Sequence, residues 1–329
     1  MAANFWESTQ RRFWQFSKDE LAKMRDDLEK SEQALVQNFP LPRRTHMNIF
    51  FNQQISRISK RLNIKQQAVA TAQLYIKRFY CKVEIRRTNP YLVLTTALYL
   101  ACKMEECPQH IRMFVTEARS LWPDLLHTDV SRIGECEFFI ISEMNSQLIV
   151  HQPYRTLTTL QSDFFLTQDE INLSLSVIND HYMTDLPLLY PPHIIALTAM
   201  LLSLVLRPNP PGTAAATMTS ASASAALQQA QAQMQQGRGG GGGGGSSSSG
   251  QSTPGGGGAA PEKDKQQEVR VGKVQRFAAF LAESNVDIEG MIDCTQELIS
   301  FYECHEQYND KSTREAVIRF IKARGLDKH

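Results

Sequence analysis

The sequence predicts an all-α protein built from two copies of one helical unit, and three observations carry that expectation. The longest apolar run, residues 89–106 (NPYLVLTTALYLACKMEE), is apolar or small on every side and opens with a Pro suited to a first helical turn. Its helix-forming part, about 13 residues, falls short of the roughly 20 that span a bilayer, so it predicts the buried central helix of a bundle. A shift of 102 positions brings up a second copy, in which Pro90, Leu92, Val93, Thr96, Ala97 and Leu100 meet Pro192, Ile194, Ile195, Thr198, Ala199 and Leu202. The same ungapped shift sets residues 66–80 on residues 168–182, with Ala72 on Ser174, Ile76 on Ile178 and Tyr80 on Tyr182. One offset that covers two helices predicts a duplicated unit of about 100 residues.

Taken in order, residues 1–40 read as an N-terminal helical arm. Phe5, Trp6, Phe13, Trp14 and Phe16 crowd its start, and a charged amphipathic stretch follows. So dense an aromatic cluster is expected to dock on the body or on a partner, because a free one associates. Pro40 and Pro42 end the arm. The first unit, residues 41–150, is expected to hold five helices. The helix at 45–61 has Phe51, Ile55, Ile58 and Leu62 along its apolar side, and the one at 66–80 has Ala68, Ala72, Tyr75, Ile76 and Phe79 on one face. The central run comes next, then a short helix at 110–119 and one at 130–144 with Ile133, Cys136, Ile140 and Met144 aligned.

The second unit, residues 151–329, opens with a short helix at 153–160, followed by the two repeat helices ending near residue 206. From about 207 to 265 the chain is Pro, Ala, Ser, Gln and Gly, including the glycine run at 240–245 and the serines at 246–249. With almost no apolar residues of core size, this stretch cannot offset its ordering entropy and predicts a long disordered insertion within the second unit. Its length adds only about 2 kcal/mol of loop-closure entropy, so the fold is not expected to depend on it. Helical patterning returns at Val274, Phe277 and Leu281, then at Met291, Leu298 and Tyr302, and finally at Val317, Phe320 and Ile321.

Composition narrows the function. Of 329 residues 42% are hydrophobic and 21% charged, no stretch is apolar and long enough to cross a membrane, and Met1 opens no charged-then-apolar leader, so a soluble intracellular protein is expected, with no membrane partner. The net charge of +1 excludes a polycation, although residues 41–150 carry 15 Lys and Arg against 9 Asp and Glu. The six cysteines never show C-x-x-C spacing, and His110, His127, His151, His181 and His193 share no ligand spacing, so no metal is expected. The glycine run lacks the Gly-Lys-Ser/Thr ending of a phosphate loop, and no Ser stands in a G-x-S-x-G turn. Without a catalytic constellation or a cofactor motif, the chain reads as a binding protein rather than an enzyme.

Duplicated five-helix units whose central helix ends in Ala101–Cys102–Lys103–Met104–Glu105–Glu106 resemble the cyclin family, with Cys102 where the family's A-S-K-x-E-E signature has Ser. The resemblance implies two tandem cyclin boxes, an N-terminal arm and a disordered insertion in the second box. Asn4–Phe5–Trp6, YIKRFY at 75–80, ECEF at 135–138, LIVHQPY at 148–154 and TDLPLLYPP at 184–192 resemble the cyclin C branch, the cyclins of the Mediator kinase module. His46–Met47–Asn48–Ile49–Phe50 stands where cell-cycle cyclins carry their M-R-x-x-L docking patch.

The resemblance implies a nuclear regulatory subunit that binds a cyclin-dependent kinase catalytic subunit, and other Mediator kinase-module subunits, in transcription by RNA polymerase II. A cyclin holds the kinase's mobile αC helix so that its Glu reaches the ATP-binding Lys. Lys103 and Glu137 carry over as the kinase-gripping pair, expected to be largely exposed at adjacent helix ends; on the residues alone they read as a helix C-terminal cation and a solvated helix face. Phe5, Trp6, Phe13 and Trp14 form the docking arm, with Trp6 and Trp14 expected to serve partner choice more than stability. Lys77, Arg78, Lys82, Arg86 and Arg87 form a basic cluster able to contact an anion or phosphate. A DNA-binding general transcription factor of the same fold, a cyclin of another transcriptional kinase and a bare scaffold stand as alternatives, and no sequence-specific nucleic acid is expected.

Overall fold

The computed structural model describes residues 4–206 and 260–327, with side chains from 271 onward in the second stretch. Among these residues every regular element is helical. The arm holds a 3-10 turn (Phe5–Glu7), α1 (Thr9–Phe13), α2 (Lys18–Ser31) and α3 (Gln33–Asn38). Then come α4 (Arg44–Arg61), α5 (Gln66–Phe79), α6 (Pro90–Met104), α7 (Ile111–Leu121) and α8 (Val130–Glu143). A second series follows as α9 (Tyr154–Leu160), α10 (Gln168–His181), α11 (Leu186–Leu189) and α12 (Pro192–Val205), and after it α13 (Ala260–Glu283), α14 (Ile288–Glu306) and α15 (Asp310–Arg324).

Local chemistry sets the ends of these helices. Ser17 with Glu20, and Thr167 with Glu170, close reciprocal capping boxes on α2 and α10. Pro90 and Pro192 occupy the first positions of α6 and α12, where the missing N–H has no intrahelical partner to lose. Gly325, at φ 69°, ends α15 in the left-handed conformation that a residue without Cβ adopts at no steric cost. The duplication is visible in these bounds: α10 begins and ends 102 positions after α5, and α12 begins 102 positions after α6.

Two apolar cores form around the repeated central helices. In the first, Tyr91, Leu94, Leu98 and Ala101 of α6 are buried among α4, α5, α7 and α8. In the second, Ile194, Leu197 and Met200 of α12 pack with α9, α10, α13 and α14. Each central helix is apolar all round because helices cover it on every side.

Tertiary packing departs from the one-faced reading of α5, which is buried continuously from Ala68 to Phe79. The arm and the second unit cover the face that periodicity leaves polar: Leu21 of α2, Leu74 of α5, Cys81 and Leu188 of α11 make a third small core. The last helix also crosses between units. Val317, Phe320 and Ile321 of α15 insert into the first core, Phe320 lies 6.4 Å from Phe39 ring to ring, and the Asn89 amide donates to the carbonyls of Leu125 (2.8 Å) and Leu326 (3.0 Å).

Helix α13 begins at Ala260, inside the stretch expected to be disordered as far as 265. The remainder of that expected insertion, 207–259, lies outside the described residues.

Candidate functional site

The end of α6 meets the middle of α8 through one ion pair. Lys103 sits in the last turn of α6, where a cation complements the helix dipole, and its Nζ donates to Glu137 Oε1 at 2.6 Å while lying 5.2 Å above the Tyr99 ring. The expectation of two largely exposed charges at helix ends is corrected on one side: the Lys103 side chain is 43% exposed, but that of Glu137 is only 11%. The cause is the α6 to α8 packing. Cys136 and Ile140 point into the first core, so Glu137 falls in the seam between the helices, where the long lysine stem reaches it. Glu135 stays exposed on another face, where it accepts from the Ser131 hydroxyl.

At the neighbouring positions of the same two helices three large apolar side chains are open to solvent, Met104, Phe138 and Phe139, the last edge-on to Phe79 at 5.2 Å. Sequence reasoning missed them as site residues. The signal was present in the Phe138–Phe139 doublet, since neighbouring residues on a helix diverge by about 100° and both lie off the Ile133, Cys136 and Ile140 stripe that faces the core. Beside them Glu105 caps α6 and accepts from Gln67 Nε2 (2.5 Å) and the Thr71 hydroxyl (2.6 Å). Gln152, in the link to the second unit, donates in turn to Thr71 Oγ1.

The arm lies across the junction of the two units and divides its aromatics. Phe5 and Trp14 turn inward, while Trp6 and Phe13 are more than half exposed. Adjacent residues of a helical turn point apart, so each pair supplies one anchor and one surface ring. Trp14 Nε1 donates to Gln147 Oε1 at 2.7 Å and its ring receives the Arg78 guanidinium at 5.2 Å. Phe5 packs edge-on to His151, and Gln10 exchanges two hydrogen bonds with the His151 backbone, at 2.7 and 3.2 Å. Trp6 leans on His193 under the Arg11 guanidinium. The expectation that Trp14 serves partner choice more than stability is therefore corrected, because its ring belongs to the first core.

The five cations read as one basic cluster do not share a surface. Lys77, Arg78 and Arg86 are buried, and only Lys82 and Arg87 are exposed. Arg78 donates to the Gln147 carbonyl, Arg86 donates to the Phe39 carbonyl and pairs with Glu84, and Arg87 pairs with Glu32. Desolvation holds Lys77 at about 8 and Arg78 at about 10, both below their ordinary values. Helical periodicity could not reveal this, because the arm residues that cover these side chains stand more than 45 positions earlier in the chain.

Two buried cores built on repeated helix pairs define a fold of the cyclin class. Residues 17–149 match the family described as cyclin, N-terminal domain. Over the whole of both chains the sequence is 62% identical to the RNA polymerase II holoenzyme cyclin-like subunit of Neurospora crassa, 64% identical to that of Chaetomium globosum and 51% identical to that of Aspergillus fumigatus. The chain belongs to this family of RNA polymerase II holoenzyme cyclin-like subunits, whose members are regulatory rather than catalytic. Among solved structures the fold is shared with a chain of the Chaetomium thermophilum CAK complex (TM-score 0.58, 18% identity, 97% of this chain and 86% of that one). It is shared also with a chain of the yeast TFIIK complex (TM-score 0.51, 19% identity, 69% of this chain and 98% of that one).

Proposed function

We propose that the chain binds and activates a cyclin-dependent kinase catalytic subunit through the face centred on Lys103 and Glu137. The observation that carries this reading is a desolvated carboxylate paired with a half-exposed lysine on two helices that also expose Met104, Phe138 and Phe139 at the neighbouring positions. Such a patch combines the two parts of a docking surface, apolar area and a few charges that fix orientation. The kinase's αC helix lies against the aromatic side chains, and its polar groups join the preformed ion pair. Held there, the αC Glu faces the ATP-binding Lys, and phosphoryl transfer proceeds on the kinase. The cyclin contributes position and no chemistry of its own.

Relatives named as subunits of the RNA polymerase II holoenzyme support a nuclear role in transcription, and we propose the kinase and further subunits of the Mediator kinase module as the partners. Trp6 and Phe13, exposed on a firmly docked arm, supply a second contact surface for the same assembly. The burial of Lys77, Arg78 and Arg86 removes the basic cluster on which the DNA-binding alternative rested.

The test is reconstitution with the Mediator cyclin-dependent kinase. Phe138→Ala and Glu137→Ala are each expected to lower kinase affinity at least tenfold with the cyclin still folded. Wild-type activation by both variants would place the kinase on another face.

A further inference from the structure

A recess lies where the arm, the first unit and the second unit meet, bordered by Arg25 of α2, Arg44 and Met47 of α4, Lys77 of α5 and Asp185 before α11. Its volume is about 310 Å³ counting the open mouth. Three cations face it and one carboxylate. Asp185 accepts from Arg25, whose Nη1 and Nη2 each donate to a carboxylate oxygen at 2.7 Å, and its one charge acts on Lys77 and Arg44 as well, so the three cations outnumber it by two.

Arg44 and Lys77 have no hydrogen-bond acceptor or ion-pair contact among the described residues, and Lys77 is 8% exposed. The remaining nearby carboxylates do not neutralise them: Glu84 pairs with Arg86, and Glu29 sits exposed on α2. The recess also borders the first turn of α4, an 18-residue helix whose N-cap, Arg43, makes no side-chain hydrogen bond. Lys77 is nearly covered and Arg44 partly so, their charged ends turned to the open recess; partly desolvated cations without a partner favour an anion, and a helix N-terminus adds further positive potential. Of the basic cluster seen in the sequence only Lys77 belongs here; Arg25 and Arg44 come from 33 to 52 positions earlier.

We infer that this recess is a binding site for a phosphoryl dianion, held by Arg44 and Lys77 with Arg25 and Asp185 fixing its wall. Two charges on the ligand match the two cations left without a partner. The shared chemistry is the tetrahedral oxyanion, presented either by a phosphorylated side chain of a protein or by free phosphate. Burial supports the assignment, since it lowers both Arg44 and Lys77, and a bound dianion restores their charged forms.

The test uses the full chain. Its thermal unfolding is followed in sodium phosphate and in sodium chloride of equal ionic strength, and titrations use inorganic phosphate and a phosphoserine peptide with its unphosphorylated twin. Phosphate is expected to raise the melting temperature of the wild type beyond the chloride value. Arg44→Gln and Lys77→Met are each expected to weaken phosphate binding at least tenfold, while Lys82→Gln, on the outer surface, leaves it unchanged. Arg44 has no bond to lose, so Arg44→Gln keeps the test readable if Lys77→Met does not fold. Tighter binding of the phosphopeptide than of inorganic phosphate assigns the ligand to a phosphorylated protein, and binding of phosphate alone assigns it to the free ion. Equal stabilisation by phosphate and chloride, or a wild-type response from Arg44→Gln, overturns the site.

Discussion

Lys103 Nζ and Glu137 Oε1 are 2.6 Å apart in the free chain, so the charges proposed to grip the kinase already grip each other. The lysine is 43% exposed, and such a pair contributes typically under about 1 kcal/mol to folding. Truncating one partner of a charge set desolvated in a complex commonly costs about 2–5 kcal/mol of binding. Lys103→Ala is therefore expected to shift the free cyclin's denaturation midpoint only slightly while lowering kinase affinity at least tenfold. Equal losses in both measurements would make the pair structural.

Trp6 and Trp14 are expected to separate. Trp14 is 2% exposed and hydrogen-bonded to Gln147, so Trp14→Ala should cost about 3–5 kcal/mol of stability in denaturant titrations. Trp6→Ala, at an exposed ring, should stay within about 0.5 kcal/mol of wild type. A stable Trp14→Ala variant would mean that the arm is not anchored through this ring.

Phe320 ties the end of the chain to the first core. Phe320→Ala is expected to destabilise by about 3–5 kcal/mol and to speed hydrogen exchange in α6, although the two are more than 200 positions apart in sequence. Faster exchange confined to α12 would assign α15 to the second core instead.

Asp180 gives the stability a pH dependence of known sign. It is buried in α10, where the Tyr302 hydroxyl donates to it at 3.1 Å, and burial pushes its carboxyl up to about 7. Its folded value lies above the ordinary one near 4, so its contribution is complete below about pH 4 and is lost as pH rises through about 7. Neighbouring His181 runs the other way: held near 3 by burial, its contribution is present above about pH 6.5 and lost as pH falls. Asp180→Asn is thus expected to melt above wild type at pH 8, by a margin that shrinks steadily toward pH 4. A margin independent of pH would show that the carboxyl does not titrate in this range.

The helix pairs were legible from residues alone because a helix is written locally. Apolar spacing, a Pro at the first position and small residues all round set residues 66–80 on 168–182, and the run opening at Pro90 on the one opening at Pro192, at a single offset of 102 positions. The Lys103 and Glu137 candidates came from the family signature, and the exposed Phe138 and Phe139 beside them were open to the same local reasoning.

What covers each helix was decided only by the tertiary structure. Periodicity marks the face that Lys77, Arg78, Trp14 or Phe320 presents, but burial depends on what packs there. Those partners are Gln147 against Trp14, Asp185 against Arg25 and Phe39 against Phe320, each more than 130 residues away along the chain. Contacts at that separation follow from how the whole chain closes on itself. The sequence by itself therefore determined the duplicated helices and their buried stripes; the closure of arm, repeat and last helix into shared cores decided which aromatics anchor, which face the solvent, and which cations are left facing a recess without a partner.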